Sequence, residues 1–151
     1  MRRLFLFAAL VCVAGSICCS AQQKGYWRAA SNTAVSITGD IELSDTKISI
    51  NFSGFPIAHI RDLSPAETSA VFAAESSGSA TGSLYRLNVP ASKRFLRHNS
   101  LCGSDDVQWM VTSVAEKTLY VAFLSGAKTP ELTPEAMANS SDLCGTFTYV
   151  R

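Results

Sequence analysis

Cys102 and Cys144 are the residues whose type and placement bear most directly on chemistry. Each sits in the tripeptide Leu-Cys-Gly, as Leu101-Cys102-Gly103 and Leu143-Cys144-Gly145, and no other cysteine follows residue 19. Such a pair can be a structural disulfide or a dithiol redox site. Neither cysteine belongs to a Cys-x-x-Cys motif and neither has a histidine beside it, which disfavours redox chemistry. The expectation is a disulfide that ties the last strand to the middle of the fold. Closing a loop of about 42 residues stabilises by roughly 4 kcal/mol in the chain-entropy picture.

The remaining reactive side chains form no recognisable constellation. His59 and His98 are the only histidines. No His-x-His, His-Glu-x-x-His or Cys/His cluster offers a metal site, so no metal is expected. His59 shares a strand face with Phe55 and Ile57 and reads as a partly buried imidazole with a satisfied partner. Serines are abundant, yet no Gly-x-Ser-x-Gly elbow marks a nucleophile. Asp105 and Asp106 are adjacent, so on a strand they would point to opposite faces; they read as loop acids, not a catalytic dyad. There is no Gly-rich phosphate loop and no dinucleotide fingerprint, so no cofactor is expected. Lys93, Arg94, Arg97 and His98 are the one local concentration of positive charge. On a helix all four would lie along one side. That side is either a solvated face or a patch for an anionic partner such as lipid headgroups, cell-wall polymer or an acidic protein.

The elements that must position these residues belong to one domain. The chain has 151 residues, 47% apolar and 17% charged. This is enough for a single core and too apolar for a disordered tail. Residues 1–21 read as a signal peptide. Met1-Arg2-Arg3 is the positive start, and Leu4 to Ile17 is an apolar run too short to cross a bilayer. Cys19-Ser20-Ala21 supplies the small residues for cleavage after Ala21. The alternative is a lipid anchor on Cys18 or Cys19, although Ile17 and Cys18 are poor preceding residues for one. Export implies an oxidising compartment, which supports the disulfide. Removing Arg2 and Arg3 leaves 11 basic against 12 acidic residues, a net of −1. Nucleic acid is therefore not an expected partner. The mature chain, residues 22–151, holds no transmembrane span.

Alternating apolar residues dominate that mature chain. Tyr26 and Trp27 open it, one of them expected to plug an open end of the fold. Ser31 to Phe52 reads as a strand bent at Gly39-Asp40, turning at Ser44-Asp45-Thr46 and returning from Lys47. Gly54-Phe55-Pro56 reads as a second turn, followed by a strand over 57–62. Ser64-Pro65-Ala66-Glu67 is a helix start with a capping box, and that helix is expected to stop near Glu75. Further strands are predicted over 83–89, 107–114, 118–124 and 146–150, with a helical turn capped by Thr133. Seven or eight strands, one or two short helices and no βαβ alternation predict an antiparallel barrel or sandwich.

Two resemblances add to this reading. Thr81-Gly82-Ser83-Leu84-Tyr85 is similar to the Ser-Gly-x-x-Tyr loop of periplasmic C-type lysozyme inhibitors, with Thr81 in place of the serine and Leu84 where a basic residue is usual. The resemblance implies a loop in which Gly82 and Tyr85 enter a lysozyme cleft. Segments 31–40, 84–87, 99–103 and 142–149 resemble a group of small exported bacterial proteins with paired Leu-Cys-Gly motifs. That resemblance implies export and the cysteine pair, and supplies no activity. The function expected from the sequence is an exported, periplasmic or secreted, non-enzymatic binding or envelope-associated protein. Its partner would be a protein, a cell-wall component or a small molecule. The alternatives are a lysozyme-type inhibitor presenting Thr81 to Tyr85, and a hydrolase with a site scattered over strand ends.

Overall fold

The computed structural model describes residues 23–73 and 80–151. The leader, the candidate lipid-anchor cysteines and the expected end of the first helix near Glu75 lie outside the described residues. Eight antiparallel strands run β1 (Gly25–Ala29), β2 (Ile41–Leu43), β3 (Lys47–Ile50), β4 (Ser53–Leu63), β5 (Thr81–Val89), β6 (Val107–Ala115), β7 (Thr118–Leu124) and β8 (Leu143–Val150). Each strand pairs with the next, and β8 returns to β1, so the sheet is a closed barrel and not a sandwich. Two short helices, α1 (Pro65–Phe72) and α2 (Pro134–Ala138), lie outside it.

Period-2 alternation fills the interior. Trp27, Ile41, Leu43, Ile48, Ile50, Phe55, Ile57, Tyr85, Leu87, Leu119, Val121, Phe123, Phe147 and Tyr149 belong to one buried cluster. Trp27 is fully buried in this cluster, while its neighbour Tyr26 is exposed. The opposite faces of β5–β7 are apolar as well. Leu84, Trp109, Val111, Ala122 and Leu124 form a second cluster with Val71 and Phe72 of α1 and Met137 of α2. The β6–β7 hairpin is therefore covered on both faces.

The first helix starts as its sequence dictates. Ser64 Oγ accepts the Glu67 N–H, and Glu67 accepts the Ser64 N–H and a two-point contact from Arg61. This arrangement holds the Glu67 carboxyl down at about 2, chiefly through the Arg61 hydrogen bond. Helix α1 then crosses close over Gly82. A β-carbon there would come within 2.6 Å of Thr68 Oγ1 and 3.2 Å of the Thr112 carbonyl oxygen.

Three segments differ from the sequence reading. Residues 34–38 form a π-helical turn, not a strand. Ser31 Oγ accepts the Ala34 N–H, and Gly39 adopts a left-handed conformation after the turn. Short hydroxyl side chains here offer the backbone a local alternative to a ladder. The turn placed at Gly54-Phe55-Pro56 is at Asn51-Phe52, both with positive φ, between the paired Ile50 and Ser53. Gly54 to Pro56 continue as strand, and the Ile57 N–H reaches the Thr46 carbonyl. The last strand begins at Leu143, so Cys144 lies within it.

Cys102 and Cys144 are bonded, with their α-carbons 4.7 Å apart. The bond joins the β5–β6 loop to β8. Replacing both cysteines by serine is expected to lower the unfolding free energy by about 4 kcal/mol, read from urea denaturation. Reductant would add two hydrogen atoms to the intact mass of the wild-type chain only, as the disulfide becomes two thiols. Gly82→Ala, which drives a β-carbon against α1, is expected to cost about 1–3 kcal/mol in the same assay.

Candidate functional site

The barrel interior is packed, so concave surface lies on the outside. A half-open groove of about 520 Å³ crosses β1–β3 and reaches the end where the β3–β4 turn projects; Tyr26, Asp40, Glu42, Ser49, Phe52 and Leu96 line it. Its floor follows from strand register. Tyr26 pairs with Glu42, and Glu42 with Ser49, so all three point outward in one row.

Asp40 is the fixed group of the groove. The Tyr26 hydroxyl donates to Oδ2, and the Ala29 N–H donates to Oδ1 at 2.8 Å. The Tyr26 hydrogen bond, then the backbone N–H, hold the Asp40 carboxyl below the usual carboxylate range, while the Tyr26 phenol is raised in return. Glu42, also exposed, has no hydrogen-bond or ion-pair partner among the described residues. The groove thus presents one oriented and one free carboxylate.

Phe52 gives the groove its apolar wall. The side chain is fully exposed, at 105% of the reference area. It also occupies the second position of a two-residue hairpin turn, with φ at 63°. Glycine is the usual residue there, because a β-carbon at positive φ costs about 1–2 kcal/mol. A bulky apolar side chain therefore holds a strained position without burying itself.

The sequence-singled residues are not brought together here. Thr81, Gly82 and Tyr85 lie in β5, hydrogen-bonded into the ladder with β4 on one side and β6 on the other. They form barrel wall, not a protruding loop. Gly82 serves the close approach of α1, and the Tyr85 hydroxyl donates to the buried Gln23 Oε1 at 3.2 Å. Burial pushes the Tyr85 phenol up. Lys93, Arg94, Arg97 and His98 do not share a helix face. Lys93 closes a turn begun at Pro90, Arg94 lies in irregular chain after it, and only Leu96–His98 form a short 3₁₀ segment, with Arg97 and His98 both at positive φ. Leu96 of that segment enters the groove, a contribution that charge patterning could not signal.

His59 is more exposed than its strand face implied, although it stays in register opposite Tyr85 and its ring meets the Tyr85 ring edge-on at 5.4 Å; the bulge in β4 comes only after it. Its Nε2 lies 3.1 Å from Asp62 Oδ1, and Ser83 Oγ donates to that same oxygen at 3.3 Å. Serine and histidine both bond the carboxylate, so the three groups do not form a serine–histidine–carboxylate relay. Asp105 and Asp106 are exposed loop acids, and Asp106 Oδ1 accepts the Ala91 N–H at 2.7 Å. No helix among the described residues is long and apolar enough to cross a membrane.

No family model, curated protein or solved structure matches this chain.

Removing the Tyr26 hydroxyl tests the electrostatics of the groove. Asp40 has a lowered folded pKa, so its contribution is present above the unfolded carboxylate range and is lost as pH falls through the folded value. Tyr26→Phe is expected to move the Asp40 titration, followed by carboxyl-carbon NMR, upward toward its unperturbed position. An unmoved titration would show that the hydroxyl does not govern it.

Proposed function

We propose that this chain is an exported, non-enzymatic binding module of the cell envelope that meets its partner at the Tyr26–Phe52–Leu96 groove. The observation that carries the reading is Phe52, a fully exposed aromatic held at a left-handed turn position beside an open groove. Strain of this kind persists where a function uses it. The disulfide supports an oxidising destination, periplasmic or secreted. The packed interior favours a ligand met on the surface over one carried inside the barrel.

The lining favours a glycan-bearing cell-wall polymer. Two exposed rings, Phe52 and Tyr26, offer apolar faces for stacking. Asp40, Glu42, Ser49 and Asn51 supply hydrogen-bonding groups around them. The volume of about 520 Å³ lies within the range of ordinary ligand sites. The inhibitor reading needs Thr81 to Tyr85 to project into a cleft, and their place in the barrel wall gives it no support.

Co-sedimentation with purified cell-wall sacculi tests the proposal. The oxidised wild-type protein is expected to pellet with the polymer, and Phe52→Ser to weaken retention about tenfold or more, as loss of an aromatic anchor does. Phe52→Gly should weaken retention equally while raising stability by about 0.5–1 kcal/mol, because glycine relieves the positive φ. Equal retention of wild type and both variants would overturn the assignment, as would no retention of the wild type.

A further inference from the structure

A second groove, on the outer face of β4–β6, carries a different chemistry. Its volume is about 440 Å³, and Pro56, Ala58, Arg86, Asn88, Asp106 and Gln108 line it. Ala58, Arg86 and Trp109 are cross-strand partners on three successive strands. The Arg86 guanidinium lies over the Trp109 ring, its carbon 4.5 Å from the ring centroid. Trp109 is itself fixed, since Nε1 donates to the Gly126 carbonyl at 3.1 Å. Arg86 Nη2 donates to Gln108 Oε1. The guanidinium is therefore braced by the ring and by Gln108 before any ligand arrives.

What the guanidinium lacks is a counter-ion. No carboxylate pairs with Arg86 among the described residues. Its Nη1 is shielded from solvent and donates to nothing. A charged N–H in that condition is costly, and an oxyanion in the groove would offer the acceptor it lacks once the guanidinium turns that edge outward. At the other side of the groove, Asp106 has one carboxylate oxygen on the Ala91 N–H and no ion-pair partner among the described residues. Asp106 and Gln108 also line an adjoining groove of about 470 Å³ with Asp105 and Asp142. The surface is thus cationic at Arg86 and anionic from Asp106 onward.

We infer that the Arg86–Asp106 groove binds a short zwitterion of the amino-acid or dipeptide class, its carboxylate on Arg86 and its ammonium toward Asp106. A simple anion would meet repulsion from Asp106, and a simple cation would meet repulsion from Arg86. A molecule carrying both charges satisfies both ends, and the apolar flank at Pro56 and Ala58 accommodates a small side chain. This site is separate from the Phe52 groove and does not rest on the function proposed for it.

Titration of the oxidised protein with acetate, ethylammonium, alanine and alanyl-alanine, followed by amide, Trp109 indole and Arg86 Nε–H NMR signals, tests the inference. Alanine or alanyl-alanine should shift the Trp109 and Arg86 signals saturably, with Kd about tenfold or more below those of acetate and ethylammonium. Arg86→Gln should weaken the zwitterion about tenfold or more. Asp106→Asn, an exposed loop change that leaves the Trp109 stack intact, should abolish the preference over acetate while leaving acetate binding in place. The inference is overturned if neither zwitterion gives saturable shifts, if acetate binds as tightly as both, or if Asp106→Asn leaves the preference intact. Phe52→Ser should leave all these titrations unchanged.

Discussion

Everything in this barrel depends on how its last strand meets its first. Strands β1 and β8 pair only through Arg28 with Val150 and Ala29 with Tyr149. So short a ladder leaves the seam as the weakest line of the sheet, and an unclosed barrel would expose two strand edges. The segment between β1 and β2 reinforces it. The Ala30 and Ser31 N–H groups both reach the Thr148 carbonyl, and Ser31 Oγ accepts the Thr148 N–H at 3.1 Å. Thr38 Oγ1 lies 2.7 Å from the Tyr149 hydroxyl inside the barrel, where burial pushes that phenol up. Arg151 stacks over Trp27 at 4.0 Å beyond the end of β8. Residues 30–38, which end in the π-helical turn, are thus the clamp on the seam, and a longer strand there would have nothing to clamp with.

The two covered faces of β5–β7 and the barer face of β1–β4 divide the outside of the barrel. Helices α1 and α2 bury one side, which requires Gly82 beneath Thr68 and gives up that surface to packing. The other side keeps its outward row of Tyr26, Glu42 and Ser49 in solvent. The disulfide acts at the boundary. It fixes the loop carrying Asp105 and Asp106 against the segment carrying Asp142, so groups far apart in sequence line one groove. The repeated Leu-Cys-Gly is architecture, and its consequence for function is the placement of those loops.

Much of the fold was legible because its causes are local. The capping box at Ser64–Glu67, the Thr133 cap, the Ser44–Thr46 turn and the alternation in β7 each act over a few residues. The strand over β6 was legible too, but its burial on both faces was not, because Gln108, Thr112 and Ser113 interrupt its apolar residues. The failures share another cause. Val35 and Ile37 alternate like a strand, but the hydroxyls of Ser31 and Thr38 are committed to β8, more than a hundred residues away. The turn was placed on Gly54 and Pro56 because they are turn residues, whereas Asn51 and Phe52 take the positive φ. The groove was hidden for the same reason. Tyr26, Asp40, Phe52 and Leu96 come from separate elements, and none belongs to a motif.

Phe52 is where local preference and overall consistency part most clearly. At the same turn position glycine would be unstrained, and a polar residue would avoid exposing a ring. Neither packing nor register requires phenylalanine there, since Ile50 and Ser53 already set the hairpin and the side chain contributes nothing to the core. Asp40 shows the opposite economy. One carboxylate braces β1 through the Ala29 N–H and orients Tyr26 in the groove. The groove is therefore built partly from the clamp that closes the barrel, and its other wall from a residue the fold does not need. A rigid floor tied to the seam, with an exposed aromatic at its rim, separates what must stay fixed from what is free to make contact.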